Sequence, residues 1–301
     1  MELTNNNPKI IHKKKKHVLL NTIYYVSGII LSIIFLFPLV YMIATSTKTE
    51  AQYAASAGTL AMFIPNFNLK QMFCNYSTLF TQHAVWKYVI NSCFYAAITI
   101  VLNILINGLA GYAIAKFTFP GKKFFNFIII FLIVVPVETS IIPLYAIVKS
   151  LLKIKGSLSV LAVILPASIS IFNIFLFVQF FQGIPTEFEE AARIDGASNL
   201  RVFFSVIVPL SKPIIATVAV FCFIGVWNDY LWPTMVLPSA QGNAWPLLPI
   251  QAALTSIQSI EGITTGEIMA SLVLTSLPVF IVYVAAQKYI VQGFGSAGLK
   301  L

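Results

Sequence analysis

Residues 183–201 read GIPTEFEEAARIDGASNLR, a short acidic stretch set between long apolar blocks. Thr186 and Glu189 have the spacing of a capping box, in which each side chain bonds the backbone of the other residue. This spacing predicts a short helix over Glu187–Asp195. Glu189 and Arg193 lie at positions i and i+4, so we expect an ion pair along that helix.

Gly196 predicts the end of this helix, because a residue without a side chain tolerates the positive φ of a sharp turn. The run Ser198–Ser205 can then start a second short helix. The connection over 182–206 is therefore predicted to be a helix–turn–helix elbow. Its acidic residues are Glu187, Glu189, Glu190 and Asp195.

The residues of the elbow leave two interpretations open. It is either a connector at the lipid headgroups or a helix that docks into a groove of a partner protein. An acidic membrane surface would repel the carboxylates of the elbow, which favours the partner. Ala191 and Ala192 also permit a close approach of another backbone.

The rest of the chain is too apolar for a water-soluble domain. Of its 301 residues, 58% are hydrophobic and 10% are charged, whereas ordinary soluble domains have about 25% charged residues. The apolar residues form blocks long enough to cross the roughly 30 Å hydrocarbon core as helices. We therefore predict an all-α polytopic membrane protein with six transmembrane helices, over residues 18–44, 86–115, 124–148, 157–181, 207–236 and 266–291.

Positive charge sets the predicted orientation, because Lys and Arg resist translocation. The amino-terminal tail is rich in lysine over residues 9–16, so we place it in the cytoplasm. Six spans then return the carboxyl terminus to the same side, together with most of the 19 Lys and Arg residues. A predicted outer loop breaks the rule with Lys149, Lys153 and Lys155. The net charge of +9 fits this topology and contact with acidic lipid, and it does not indicate nucleic-acid binding.

The spans divide the chain into four predicted parts. A basic cytoplasmic tail over 1–17 precedes the first span and an external loop, over 18–85. A core transmembrane domain follows over 86–291 and contains the elbow, and a cytoplasmic tail covers 292–301. The proline and asparagine content of 45–85 predicts ordered but irregular structure there.

The elbow resembles a known motif. It carries Glu-Ala-Ala over 190–192, with Gly196 following and Pro209 further on, and this pattern is similar to the EAA loop of permease subunits in bacterial type I ABC importers. The resemblance implies the permease fold of that family, with the elbow as a coupling helix seated in a cleft of a cytoplasmic ATPase subunit. It implies an ATPase contact for Glu190 and the turn for Gly196. The implied partner-binding residues are Glu190, Ala191, Ala192, Arg193, Asp195, Gly196 and Pro209.

The similarity extends over roughly residues 18–300 and points to the carbohydrate branch of the family, whose familiar members are the maltose and multiple-sugar permeases. It is carried by short motifs, namely NS at 91–92, GYA at 111–113, FPG at 119–121, IPLY at 142–145, FNIF at 172–175 and WNDYLWP at 227–233. The tail departs from the branch, because Gly293 leads to AGLKL over 297–301.

The chain has no phosphate-binding loop of its own. The nearest string, GKK over 121–123, lacks the upstream Gly and the Ser or Thr that hold phosphate and Mg²⁺. We therefore predict no cofactor and no enzymatic activity for this chain, with ATP and Mg²⁺ bound by a partner. The resemblance implies a second homologous permease subunit, two ATPase subunits and an extracellular solute-binding protein, assembled in a bacterial cell membrane. The scattered cysteines and histidines indicate no metal site.

The path of the cargo is predicted from polar residues inside the apolar blocks. A sugar needs hydrogen-bonding groups and aromatic faces on helix surfaces turned away from lipid. The fifth block offers both, at Trp227, Asn228, Asp229 and Tyr230. Glu138 is an ionisable group in the third block, and such residues rarely face hydrocarbon. A purely structural role for Asp229 and Glu138, at helix ends or outer headgroups, stays open.

Other classes of membrane protein explain less of the sequence. An ion-coupled secondary transporter would show inverted repeats, and it makes no use of the elbow. An intramembrane enzyme needs paired carboxylates or a Ser/His set inside the bilayer, and all three histidines lie outside the apolar blocks. A structural anchor would use neither the elbow nor the motif at 227–233. Between a sugar and glycerol phosphate as cargo, the residues leave the choice open.

Overall fold

The computed structural model of the chain describes residues 8–154, 156–238 and 245–298, and within these ranges it contains helices and no strand. The predicted all-α class is therefore confirmed. The side chains of the predicted cytoplasmic lysines at 9–16, 288 and 300 lie outside the described side chains. In chain order the α-helices are α1 Pro8–Ser46, α2 Glu50–Ser56, α3 Leu69–Met72, α4 Cys74–Thr81, α5 Val85–Lys116, α6 Lys122–Val134, α7 Ile141–Ala146, α8 Ser159–Ala167, α9 Ile171–Gln182, α10 Glu187–Ile194, α11 Asn199–Val202, α12 Val208–Leu210, α13 Lys212–Asn228, α14 Leu231–Val236, α15 Ile250–Gln258 and α16 Thr265–Gly298.

The apolar helices of the described chain fall into two groups. Three segments are long enough to cross a membrane unaided, and they are Leu20–Ser46, Val85–Lys116 and Thr265–Gln287. Three pairs qualify only together, and they are Lys122–Val134 with Val137–Ser150, Gly156–Ala167 with Ile171–Gln182, and Asn199–Leu210 with Lys212–Asn228, bent by 98°, 43° and 86°. If each bent pair is one crossing there are up to six, so the six-span count stays a prediction.

The third, fourth and fifth predicted spans are each divided into shorter helices. In the third span, α6 stops at Val134 because the residue before Pro136 is sterically pushed out of the helical region. In the fifth, Ser211 bends the chain, and Asp229 has an extended backbone with φ −72° and ψ 114°. Apolar composition indicates that a segment lies in lipid, but it does not indicate whether the helix in that segment is continuous.

The break in the fourth span is closed by an asparagine from α5. Between α8 and α9, the carbonyl of Ser168 and the N–H of Ser170 lie at the helix ends, where backbone groups lack a partner within the helix. Asn107, whose side chain is fully buried, supplies both kinds of bond. Its Nδ2 donates to the carbonyl of Ser168, and its Oδ1 accepts from the N–H of Ser170, both at 3.1 Å. The amide thus takes the place of a missing peptide group at the bend.

Contacts divide the chain into two compact units, Met1–Thr78 with Ile263–Val273, and Leu79–Gly262 with Leu274–Leu301. In the first unit the segment expected to be irregular contains α2, α3 and α4. Lys48 is a buried cation in this unit, 5% exposed. Its ammonium donates to the hydroxyl of Ser56 and to two backbone carbonyls, at 2.8–3.2 Å. Burial lowers the pKa of Lys48, and the three acceptors compensate the desolvation of its charge.

In the second unit, the segment before α15 is bonded to the first turns of α5. Asn91 Nδ2 donates to the carbonyls of Pro246 and Leu248, at 2.6 and 3.0 Å. The N–H of Ile250, which begins α15, donates to Ser92 Oγ at 2.8 Å. These bonds give the NS motif at 91–92 a structural role, which is to hold a non-helical segment against α5.

Candidate functional site

The acidic elbow folds into two short helices, α10 and α11. The predicted first helix is confirmed to within one residue, since α10 ends at Ile194 and Asp195 is its C-cap. Ser198 caps α11, because its Oγ accepts a hydrogen bond from the N–H of Arg201 at 3.4 Å. Capping side chains of this type satisfy N–H groups that have no partner inside the helix.

Gly196 closes the elbow as predicted, with a φ of +79°. Its N–H donates to the carbonyl of Arg193, and the N–H of Ala197 donates to the carbonyl of Ala192, both at 3.0 Å. These are the two bonds of a Schellman motif. Ala192 and Ala197 also pack against one apolar cluster. The angle between α10 and the following segment is therefore held by hydrogen bonds and by burial together.

Two contacts expected at the start of α10 do not form. Thr186 has helical φ and ψ and makes no side-chain cap bond, so the predicted capping box is wrong. The expected Glu189–Arg193 pair is also wrong, because Glu189 lies against the last turn of α5. There Lys116 Nζ is 3.0 Å from Glu189 Oε1, and the hydroxyl of Tyr112 donates to Oε2 at 3.1 Å. These buried partners prevail because water weakens the attraction of an exposed arginine.

An apolar cluster anchors the elbow to α5, α9 and α13. We call it the elbow cluster, and it consists of Tyr112, Phe177, Phe181, Ile184, Val202, Phe203, Ile207, Ile214 and Val218. Full burial of one such side chain contributes about 1.5–3 kcal/mol. Gly111 lets α5 approach α9, since a Cβ there would lie 2.6 Å from the Cβ of Phe177. The GYA motif at 111–113 thus supplies the close contact and one member of the cluster.

The opposite face of the elbow is exposed and mixes charged with apolar side chains. Ile194 is 86% exposed and Phe188 is 50% exposed. Large exposed apolar side chains beside charges mark interaction surfaces. Of the predicted partner-binding residues, Ala192 is half-buried within the chain itself. The exposed ones are Glu190, Ala191, Arg193, Asp195, Gly196 and Pro209.

A cleft of about 980 Å³ lies among the broken spans, which is within the range of small-molecule sites. It is lined by residues at the breaks of the third and fourth spans and at the junction of α13 with α14, among them Pro136, Ser170 and Leu231. A broken helix turns polar backbone and side-chain groups toward such a space. The lining of the cleft is mainly apolar, with a few polar side chains such as Asn103 and Asp229 set within it.

Four of the five predicted path residues line this cleft, and they are Glu138, Asn228, Asp229 and Tyr230. Trp227 lies elsewhere. It is 1% exposed, and its indole Nε1 donates to the carbonyl of Thr275 at 3.0 Å. The expectation that Trp227 presents an aromatic face to a cargo is not met in this structure, where the ring packs α13 against α16.

The other fifth-span residues have local partners of their own. Asp229 Oδ1 accepts from the N–H of Trp232 at 3.2 Å, at the start of α14. Asn228 Oδ1 accepts from Gln251 Nε2 at 3.1 Å. Tyr230 is 54% exposed and lines the cleft. The hydrogen bond of Asp229 supports the structural role that the sequence left open, and the residue also lines the cleft.

Sequence reasoning missed two asparagines of the cleft, Asn103 and Asn173. Asn173 Nδ2 donates to Asn103 Oδ1 at 2.9 Å, and Asn103 Nδ2 donates to the carbonyl of Ala167 at 3.4 Å. Both residues line the cleft. The available signal was an amide side chain inside an apolar block, the same signal that selected Asn228.

Residues 107–296, which contain the elbow and most of the cleft, match the family described as binding-protein-dependent transport system inner membrane component. The chain belongs to this family. The resemblance stated from the EAA loop is thereby confirmed. Members are permease subunits of ABC transporters, which are membrane components and not enzymes in themselves.

Individual members of the family resemble the chain over nearly its whole length. The arabinooligosaccharides transport system permease protein AraQ of Halalkalibacterium halodurans is 29% identical over 289 residues, which cover 96% of this chain and 99% of that protein. The sn-glycerol-3-phosphate transport system permease protein UgpE of Escherichia coli O157:H7 is 34% identical over 286 residues, covering 90% and 95%.

A solved structure is similar as well. It is the crystal structure of a bacterial ABC transporter involved in the import of the acidic polysaccharide alginate. One chain of that structure matches this chain with a TM-score of 0.77 and 25% sequence identity. The match covers 91% of this chain and 97% of that chain. The permease fold is therefore shared over most of the chain.

Proposed function

We propose that the chain is the transmembrane permease subunit of an ATP-driven importer whose cargo is a sugar or oligosaccharide. The observation that carries the proposal is the elbow, in which a rigid Schellman turn presents an exposed acidic and apolar face. A helix that only connected two spans at an acidic membrane surface would not place carboxylates there. Membership of the binding-protein-dependent family supports the same function.

The proposed assembly holds this chain, a second homologous permease subunit, two ATPase subunits and an extracellular solute-binding protein. The chain spans a bacterial cell membrane six times, in contact with lipid, with both termini in the cytoplasm. ATP and Mg²⁺ are bound by the ATPase subunits. Most of the positive charge then faces the cytoplasm, in agreement with the distribution of Lys and Arg.

In this assembly the exposed face of α10 docks on an ATPase subunit. Glu190 supplies a polar contact and Ala191 a close approach, with Ile194 as an apolar anchor. Closure of the ATPase pair moves the elbow as a rigid body, because Gly196 and the elbow cluster hold its shape. The difference in free energy between inward- and outward-facing states comes from ATP binding and hydrolysis.

The cleft is the proposed path, and its charge favours a neutral sugar. Glu138 and Asp229 bring carboxylates to the lining, and no Lys or Arg is among its lining residues in the described chain. A phosphate group would be repelled there, whereas sugar hydroxyls can bond to carboxylates and amides. Glycerol phosphate remains the second candidate because relatives such as UgpE carry it in their names.

The test is reconstitution of the chain in liposomes with the proteins encoded by its neighbouring reading frames. We expect ATP-dependent uptake of the ligand that calorimetry identifies for the solute-binding protein. Glu190→Lys should weaken ATPase assembly, while the variant still inserts. Uptake without ATP, or assembly of Glu190→Lys equal to that of the wild type, would contradict the proposal. Binding of glycerol phosphate in place of a sugar would select the second candidate.

A further inference from the structure

Glu189 differs from the other acidic residues of α10 because it is buried. It is 5% exposed, whereas its neighbours Glu187 and Glu190 are exposed. An ionised carboxylate is costly to bury without partners. The partners of Glu189 therefore indicate what this residue does, and they all lie outside the elbow.

Both partners come from the last two turns of α5. Lys116 and Glu189 form an ion pair, and each of the two side chains is 6% exposed. The ammonium lies beside Oε1 outside hydrogen-bonding angles, and it donates to the carbonyl of Ile184 at 2.6 Å. The directed bond to the carboxylate comes from Tyr112. Tyr112 and Lys116 are four residues apart, so one face of α5 holds the carboxylate.

This contact joins the elbow to a helix that is not adjacent to it in the chain. The backbone links α10 to α9 on one side and, through the Gly196 turn, to α13 on the other. The elbow contacts the span over Val85–Lys116 only through noncovalent interactions. Tyr112 takes part in these twice, since its ring also lies 5.4 Å from the ring of Phe203 in the elbow cluster.

We propose that Glu189, Lys116 and Tyr112 form a latch that makes the span of α5 follow the movement of the coupling helix. This inference rests on the proposed function, and it adds a third driven span to the two that are joined through the backbone. The three residues are positioning residues, because the exposed face of α10 that meets the ATPase does not include them. The latch is charged, so it holds α10 at one place along α5 more selectively than apolar packing does.

A double variant separates a coupling role from a structural one. Glu189→Gln alone leaves the ammonium of Lys116 buried without its counter-charge, which destabilises a protein in its own right. Lys116→Met combined with Glu189→Gln removes both charges, and such replacements of buried pairs are often neutral for stability. The remaining cost is the one hydrogen bond from Lys116 to the carbonyl of Ile184. Glu261→Gln is the control, since it makes the same change at an exposed position away from the elbow.

The measurement uses the complete importer in proteoliposomes and compares ATPase assembly, thermal midpoint and cargo molecules moved per ATP hydrolysed. We expect the double variant to assemble and to melt close to the wild type, yet to move about tenfold less cargo per ATP, a size typical of coupling between sites. Glu261→Gln should match the wild type in all three readouts.

Wild-type transport per ATP in the double variant would overturn the latch and return the pair to a structural role. Loss of ATPase assembly in the double variant alone would overturn it as well, because the latch leaves the docking face unchanged. Failure of the wild-type chain itself to assemble with an ATPase would instead refute the proposed function, and the latch with it.

Discussion

Replacement of Asn107 by leucine tests how the broken fourth span is held. The Asn107→Leu change keeps the approximate size of the side chain and removes its amide. The carbonyl of Ser168 and the N–H of Ser170 then lose a partner at a fully buried position. The helix break itself remains, so neither group can return to a regular helical bond.

Two estimates bracket the loss of stability. A buried polar group left without a partner costs about 1–3 kcal/mol, so two such groups cost about 2–6 kcal/mol. Hydrogen bonds between membrane helices contribute only about 0.6 kcal/mol on average, because the unfolded chain in the membrane also finds partners. Backbone groups at a break have few alternatives, so we expect about 2 kcal/mol, which is roughly a 30-fold change in the folding equilibrium.

The assay is the unfolding free energy of the purified chain in detergent, together with the fraction that stays monodisperse after heating. Asn126→Leu is the matched control, because Asn126 on α6 is half-buried and its side chain makes no hydrogen bond within the described residues. We expect this control to be as stable as the wild type or more so. Wild-type stability of Asn107→Leu, or an equal loss in Asn126→Leu, would refute the bridging role.

Three further outcomes follow from the packing and the turns. Gly111→Ala should destabilise the chain by about 1–3 kcal/mol through overpacking. Gly28→Ala, which has open space around its Cβ, should keep the wild-type thermal midpoint. Equal thermal midpoints for the two variants would argue against close packing of α5 on α9. Gly196→Pro should abolish ATP-driven uptake with insertion intact, because the ring fixes φ near −65° where the turn requires +79°. Gly196→Ala, with a strain of about 1–2 kcal/mol, should lose less, and normal uptake by the proline variant would exclude a need for this turn. Lys48→Met should lower the thermal midpoint in detergent, since three oxygen acceptors lose their donor, and an unchanged midpoint would show that water replaces it.

The elbow shows how far local patterns reach. The helix over 187–194, its C-cap and the positive φ of Gly196 are properties of neighbouring residues, and they were predictable for that reason. The capping box failed although its spacing was correct. Glu189 had a competing partner in Lys116, and the two residues come together only when α5 packs beside the elbow.

The cleft shows the same division. Ionisable and amide side chains in apolar blocks selected Glu138 and Asn228 correctly as lining residues. The same reasoning included Trp227, whose indole is bonded to α16, and it passed over Asn103. Residue type indicates that a polar group needs a partner, but the partner depends on which helix face is turned toward the cleft.

The sequence by itself determined the all-α class, the apolar blocks, the elbow and the family of transport components to which the chain belongs. These follow from composition, charge and short-range spacing, which act between residues close together in the chain. Only the tertiary structure decided where the spans break, how Asn107 closes one of those breaks, and that Glu189 is held by α5. Such contacts join residues more than 60 positions apart. They contribute to stability only after the helices have packed together.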